Sequence, residues 1–99
     1  MHTERDGGKV TIFAEERIDA NVAPRFAAEM EQALEGATEL VLDFTDLAYI
    51  SSSGLRAVML AVKTMDRQGT MRIVGVSEGI YEILETTGFT GMCEVECAQ

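Results

Sequence analysis

The stretch Ala48-Tyr-Ile-Ser-Ser-Ser-Gly-Leu-Arg-Ala-Val-Met-Leu60 sets three serines and a glycine between an apolar pair and a segment of helical periodicity. Serine is among the best helix caps, because its hydroxyl accepts a hydrogen bond from a backbone N–H that the first turn leaves unpaired. Past the serines, Leu55, Val58, Met59, Val62 and Met65 recur at the spacing of one helix face, while Arg56, Lys63, Asp66 and Arg67 fall on the other. Gly69 ends the segment. The stretch therefore reads as a strand end, a helix start and a long helix.

Immediately upstream, Glu39 to Phe44 (ELVLDF) reads as a mostly buried strand, and its near-continuous apolar run suits a sheet covered on more than one side. Before it, Phe26, Met30, Ala33 and Leu34 share one face of a helix from Pro24 to Leu34, with Asn21 as the expected cap and Gly36 as the stop. Lys9 to Ala14 (KVTIFA) reads as a strand after the turn sequence Asp6-Gly7-Gly8, and residues 2 to 5 are placed as a short strand paired back across that turn. Downstream, Thr70 to Val76 is a further strand, and Ser77 is the expected cap of a short helix buried through Ile80, Ile83 and Leu84. That helix stops at Thr87-Gly88, and Met92 to Glu96 alternates into a last strand. The order β-β-α-β-α-β-α-β predicts an α/β fold: a mixed, mostly parallel sheet of four to five strands with three helices packed on it.

A chain of 99 residues, 46% hydrophobic and with one proline, suffices for one packed core, so a single domain over residues 1–99 is expected. The formal charge of −9 disfavours nucleic acid and anionic membrane as partners, and predicts that a charged partner presents a basic or mixed surface. No run approaches the roughly 18 apolar residues of a membrane span, and the N-terminal MHTERDGG lacks the apolar core of a signal peptide. Cys93 and Cys97 lie about 13 Å apart along an extended segment, too far for a disulfide. Two reduced thiols fit a cytoplasmic protein. With His2 the only histidine, neither a metal site nor another cofactor is expected.

Two uses of the serines are open. One is a plain cap; the other is modification, since a helix N-terminus carries unpaired N–H groups and partial positive charge, and accommodates an anion without lysine or arginine. A phosphate there adds about −1.5 to −2 charges and three strong acceptors. Enzymatic use is not expected. The patterns G-x-x-x-x-G-K-[ST] and G-x-G-x-x-G are absent, and a serine nucleophile needs a base within reach.

The run Leu40 to Leu55 (LVLDFTDLAYISSSGL) resembles the signature of STAS domains, specifically the bacterial anti-sigma-factor antagonists, in which a strand ending in aspartate leads to Asp-Ser-Ser-Gly-Leu at a helix start. Arg17-Ile18-Asp19-Ala20 and Ile80 to Phe89 (IYEILETTGF) resemble the flanking segments. The resemblance implies a non-enzymatic switch. The unmodified antagonist binds an anti-sigma factor that is also a serine kinase, is released on phosphorylation, and is reset by a phosphatase of the PP2C type. Aligned on Gly54 and Leu55, the modified residue is Ser52, and Asp19, Ser51, Ser53, Gly54, Leu55 and Arg56 form the dock. Ser51 stands where the family usually has aspartate, and Glu16 where it usually has glycine. The alternative is a constitutive STAS adaptor that is not phosphorylated.

Overall fold

The computed structural model describes residues 1–98; Gln99, the last residue of the expected domain, lies outside the described residues. In chain order the elements are β1 (His2–Asp6), β2 (Lys9–Phe13), β3 (Arg17–Ile18), α1 (Ala23–Ala33), β4 (Glu39–Asp43), β5 (Tyr49–Ile50), α2 (Ser52–Gln68), β6 (Thr70–Val76), α3 (Glu78–Thr86), a 3₁₀ turn (Phe89–Gly91) and β7 (Glu94–Cys97). Five strands form one sheet in the order β1-β2-β4-β6-β7, and β3 and β5 form a two-stranded sheet of their own. β1 and β2 are antiparallel around Gly7, whose φ of 61° is the left-handed geometry the turn demands. Every other pair is parallel, as crossover helices between strands require. The mixed α/β architecture read from the sequence is the one observed.

Side-chain alternation sets the core. Val10, Leu40 and Met71 lie in register across β2, β4 and β6, as do Ile12, Leu42 and Ile73, and all six are buried. They share one apolar cluster with Phe26 and Met30 of α1, Val58 and Met65 of α2, and Ile80 and Leu84 of α3. All three helices thus contribute to a core on the same side of the sheet. The expectation of cover on more than one side is corrected here. Val41, the middle of the Leu-Val-Leu run, points to the opposite face, lies outside that cluster, and is shielded in register by Thr11 and Arg72. Neighbouring strands, not a helix layer, bury it.

Three further expectations shift. On α2 the fully buried residues include Ala57 and Ala61, whereas Leu55 and Met59 are only partly buried. Small side chains let α1 and α2 approach closely, which turns the helix so that its bulkier residues flank the contact. Ile83 of α3 is 37% exposed rather than core, because that short helix buries only Ile80 and Leu84. The last strand starts at Glu94, since Met92 and Cys93 are still turning out of the 3₁₀ segment, with their N–H groups donating to the Phe89 carbonyl.

The C-terminal end of α1 is held by two long side chains. Arg5 of β1 donates to the carbonyls of Ala33 and Glu35, at 3.1 and 3.0 Å, and Gln68 of α2 donates to those of Leu34 and Ala37, at 3.0 and 2.8 Å. α1 has no basic residue in its own last turn, and Arg5 supplies the missing cation.

Candidate functional site

The small β3–β5 sheet joins two loops that are distant in sequence. Ile18 pairs with Ile50, and the N–H of Ser51 donates to the Ile18 carbonyl at 2.8 Å. On the other side, the N–H groups of Ala48 and Tyr49 donate to the Glu16 carbonyl. The loop carrying Asp19 is therefore stitched to the loop carrying the serines. Gly54 allows the first turn of α2 to lie on this pair: a Cβ there would stand 2.7 Å from Ile50 Cγ1 and 2.8 Å from Ile18 Cγ2. Only glycine fits.

The serines have separate roles. Ser51 is the N-cap residue of α2, in extended geometry, and its Oγ accepts from the Gly54 N–H at 3.1 Å. Ser52 is the first helical residue; it is exposed, and among the described residues its hydroxyl has no hydrogen-bond partner. Ser53 is exposed and lines a shallow cleft of about 170 Å³ with Arg56 and Leu60 of α2 and with Ala20 and Pro24 at the start of α1. Leu55 is half-buried, Arg56 exposed and Gly54 buried.

Asp19, rather than Asn21, organises the start of α1. The residue next to the helix is Val22, which makes no side-chain cap. The Asp19 carboxylate accepts from the N–H groups of Asn21 and Val22 at 3.0 and 2.9 Å, while its carbonyl accepts from Ala23. The cap position falls on Val22, the Ala23 N–H is taken by the Asp19 carbonyl and Pro24 has no N–H to offer, which corrects the assignment of Asn21 as the cap. Asp19 is half-buried, and one of its oxygens is already committed within the chain.

The sequence reading missed the pair formed by Arg17 and Tyr49, whose guanidinium carbon lies 4.5 Å from the ring centroid beside the serine loop. The two residues are opposite in register, a relation invisible until the two-residue strands are known to pair. Elsewhere, His2 sits on the edge strand β1 against Glu4 and Phe13. Among the described residues, no three His, Cys, Asp or Glu side chains gather as a metal site, and no helix is long and apolar enough to cross a membrane. Cys97 is exposed; Cys93 is half-buried, and burial pushes its thiol pKa up.

Electrostatically, the first turn of α2 is unfilled. It holds no acidic residue, its N–H groups point at the serine loop, and Ser51 satisfies one of them. The arrangement offers a free hydroxyl at the positive end of a 17-residue helix.

Comparison with known proteins accords with this geometry. The STAS domain family model matches residues 1–96. An anti-sigma-B factor antagonist of Listeria monocytogenes is 33% identical over 96 residues, covering 94% of this chain and 83% of its own length. Among solved structures, the anti-sigma factor antagonist SpoIIAA in its unphosphorylated form superposes with a TM-score of 0.79 at 17% identity, covering 99% of this chain and 88% of that one. The phosphorylated form of the same Bacillus protein gives 0.77 at 16% identity, covering 95% and 88%.

Proposed function

Because the chain belongs to the STAS domain family, we propose that it acts as an anti-sigma factor antagonist, a non-enzymatic module that binds an anti-sigma factor when unmodified and lets go when Ser52 is phosphorylated. The partner, a serine kinase, supplies the forward chemistry, and a phosphatase of the PP2C type reverses it. The observation that carries this reading is the division of labour at α2: Ser51 caps the helix, and Ser52 is left exposed and uncommitted at its first position.

Physical chemistry supports a switch at that position. A phosphoryl group on Ser52 adds about −1.5 to −2 charges at a helix N-terminus, where the partial positive charge favours it, so the fold is kept. The cost falls on the complex, where a partner surface shaped for a hydroxyl meets a desolvated dianion. A penalty of about 3 to 4 kcal/mol weakens binding several-hundredfold. Ser51 in place of the usual aspartate does not argue against this, since serine and aspartate are comparably good N-caps. Asp19, Ser53, Gly54, Leu55 and Arg56 complete the dock: Gly54 sets the loop height against Ile18 and Ile50, and Ser53 and Arg56 line the cleft beside it.

Incubation with ATP and the cognate anti-sigma factor, followed by mass spectrometry, is expected to place a single phosphate on Ser52. Ser52→Asp is expected to fold normally and to bind the anti-sigma factor at least a hundredfold more weakly, by titration calorimetry. Parent-like affinity of Ser52→Asp, with no phosphate on Ser51 to Ser53, would instead favour a constitutive adaptor.

A further inference from the structure

The net charge of the chain points to a basic or mixed partner surface, but helix α2 beneath Ser52 carries the opposite sign. α2 carries Arg56, Lys63 and Arg67 against a single acidic residue, Asp66, whereas α3 carries Glu78, Glu82 and Glu85 with no basic residue. At 100° per residue, Arg56, Leu60, Lys63 and Arg67 fall within about 60° of arc on the exposed side of the helix. Ser52 heads this stripe, one turn before Arg56.

The three cations are also uncommitted. Arg25 and Arg72 are ion-paired with Glu15 and Glu96, Arg5 is spent on the end of α1, and Arg17 stacks on Tyr49. Among the described residues, Arg56, Lys63 and Arg67 enter no ion pair. Between them, Leu60 is 57% exposed, more than any other large hydrophobic side chain of the chain's described residues. It rims two adjoining clefts, of about 290 and 170 Å³, which share Ala27 and Ala57 and run along the α1–α2 seam. Apart from Glu31 on the α1 side of the larger cleft, the charges around Leu60 on α2 are these unpaired cations, and the complement of an apolar side chain set among them is an acidic surface with an apolar pocket.

We propose that the outer face of α2, from Arg56 to Arg67, docks an acidic surface of the anti-sigma factor that takes Leu60 into an apolar pocket. The inference rests on the function proposed above and extends its dock more than two turns beyond the serine loop. It also adds a term to the switch. A phosphate on Ser52 sits at the head of the stripe and repels the same acidic partner that the stripe attracts. Lys63 and Arg67 lie about 16 and 22 Å along the helix from Ser52, beyond the roughly 8 Å screening length at physiological salt, so they report on the dock alone.

The test is titration of the full chain against the purified anti-sigma factor that phosphorylates it, at low and high salt. Lys63→Glu and Arg67→Glu are each expected to weaken binding about tenfold and to flatten its salt dependence, because each reverses a charge facing an acidic partner. Leu60→Ala is expected to weaken binding at both salt concentrations. Lys9→Glu, on the sheet face turned away from the helices, makes the same change in net charge and is expected to leave affinity unaltered. Circular dichroism checks that each variant folds. Parent-like binding of Lys63→Glu/Arg67→Glu overturns the proposal, as does equal weakening by Lys9→Glu. If Ser52→Asp releases the partner while the α2 reversals do not, the dock falls and the switch stands. If the reversals weaken binding while Ser52→Asp does not, the switch falls and the dock stands. Absence of any binding overturns both.

Discussion

At Ser51 and at Ser77 the same side chain does the same job: each is an extended N-cap whose Oγ accepts from the backbone N–H three residues on, at 3.1 Å from Gly54 and 3.3 Å from Ile80. The residue after the cap differs. In α3 the first helical position is Glu78, a permanent negative charge where the helix end is positive. In α2 that position is Ser52, and no acid stands in the first turn. The glycines differ too: Gly54 is pressed against Ile18 and Ile50, whereas a Cβ on Gly79 would meet nothing within 4 Å. One start is finished by its own sequence. The other is pressed closely against its neighbours and carries no acid of its own in the first turn.

The contrast is most exposed to refutation at the two glycines. Gly54→Ala is expected to destabilise the fold by about 1 to 3 kcal/mol through overpacking against the two isoleucines, partly offset by better helix propensity. Gly79→Ala is expected to stabilise it by up to about 1 kcal/mol. Urea titration of both variants decides it, and similar shifts in the same direction would mean that the first turn of α2 is no more constrained than that of α3.

Next come the caps. Ser51→Ala and Ser77→Ala should each cost about 0.5 to 2 kcal/mol by the same measurement, while Ser52→Ala should change stability by less than about 0.5 kcal/mol. A Ser52→Ala loss equal to that of Ser51→Ala would show that Ser52 is also structural.

The smallest effect concerns charge at the first helical position. Ser52→Asp is expected to stabilise by about 0.3 to 1 kcal/mol at low ionic strength, and Glu78→Gln to destabilise by a similar amount. Both shifts should shrink in concentrated salt, read as the midpoint of thermal unfolding.

Much of this was legible in the sequence, for identifiable reasons. The long helices and central strands declare themselves by period, and Ser77, Gly36 and Pro24 mark their ends by local chemistry that tertiary packing does not override. The two-residue strands β3 and β5 carry no period, so the pairing of Arg17 with Tyr49 and of Ile18 with Ile50 stayed hidden. That pairing is what makes Gly54 obligatory. Which serine caps α2 rests on a single hydrogen bond from Gly54, and the place of Asp19 rather than Asn21 at the start of α1 on two more. Burial of alanines over leucine and methionine on α2 is a property of two helices meeting, which neither helix reveals alone. Net charge averages the basic helix α2 with the acidic helix α3, so it does not display the sign of either one.

Arg5 and Gln68 tie the far end of α1 to the edge strand β1 and to the last turn of α2, and the Asp19 turn with buried Ala23 and Phe26 holds the near end. The cleft along the α1–α2 seam therefore lies between two helices fixed at both ends, so a side chain entering it meets a shape already formed.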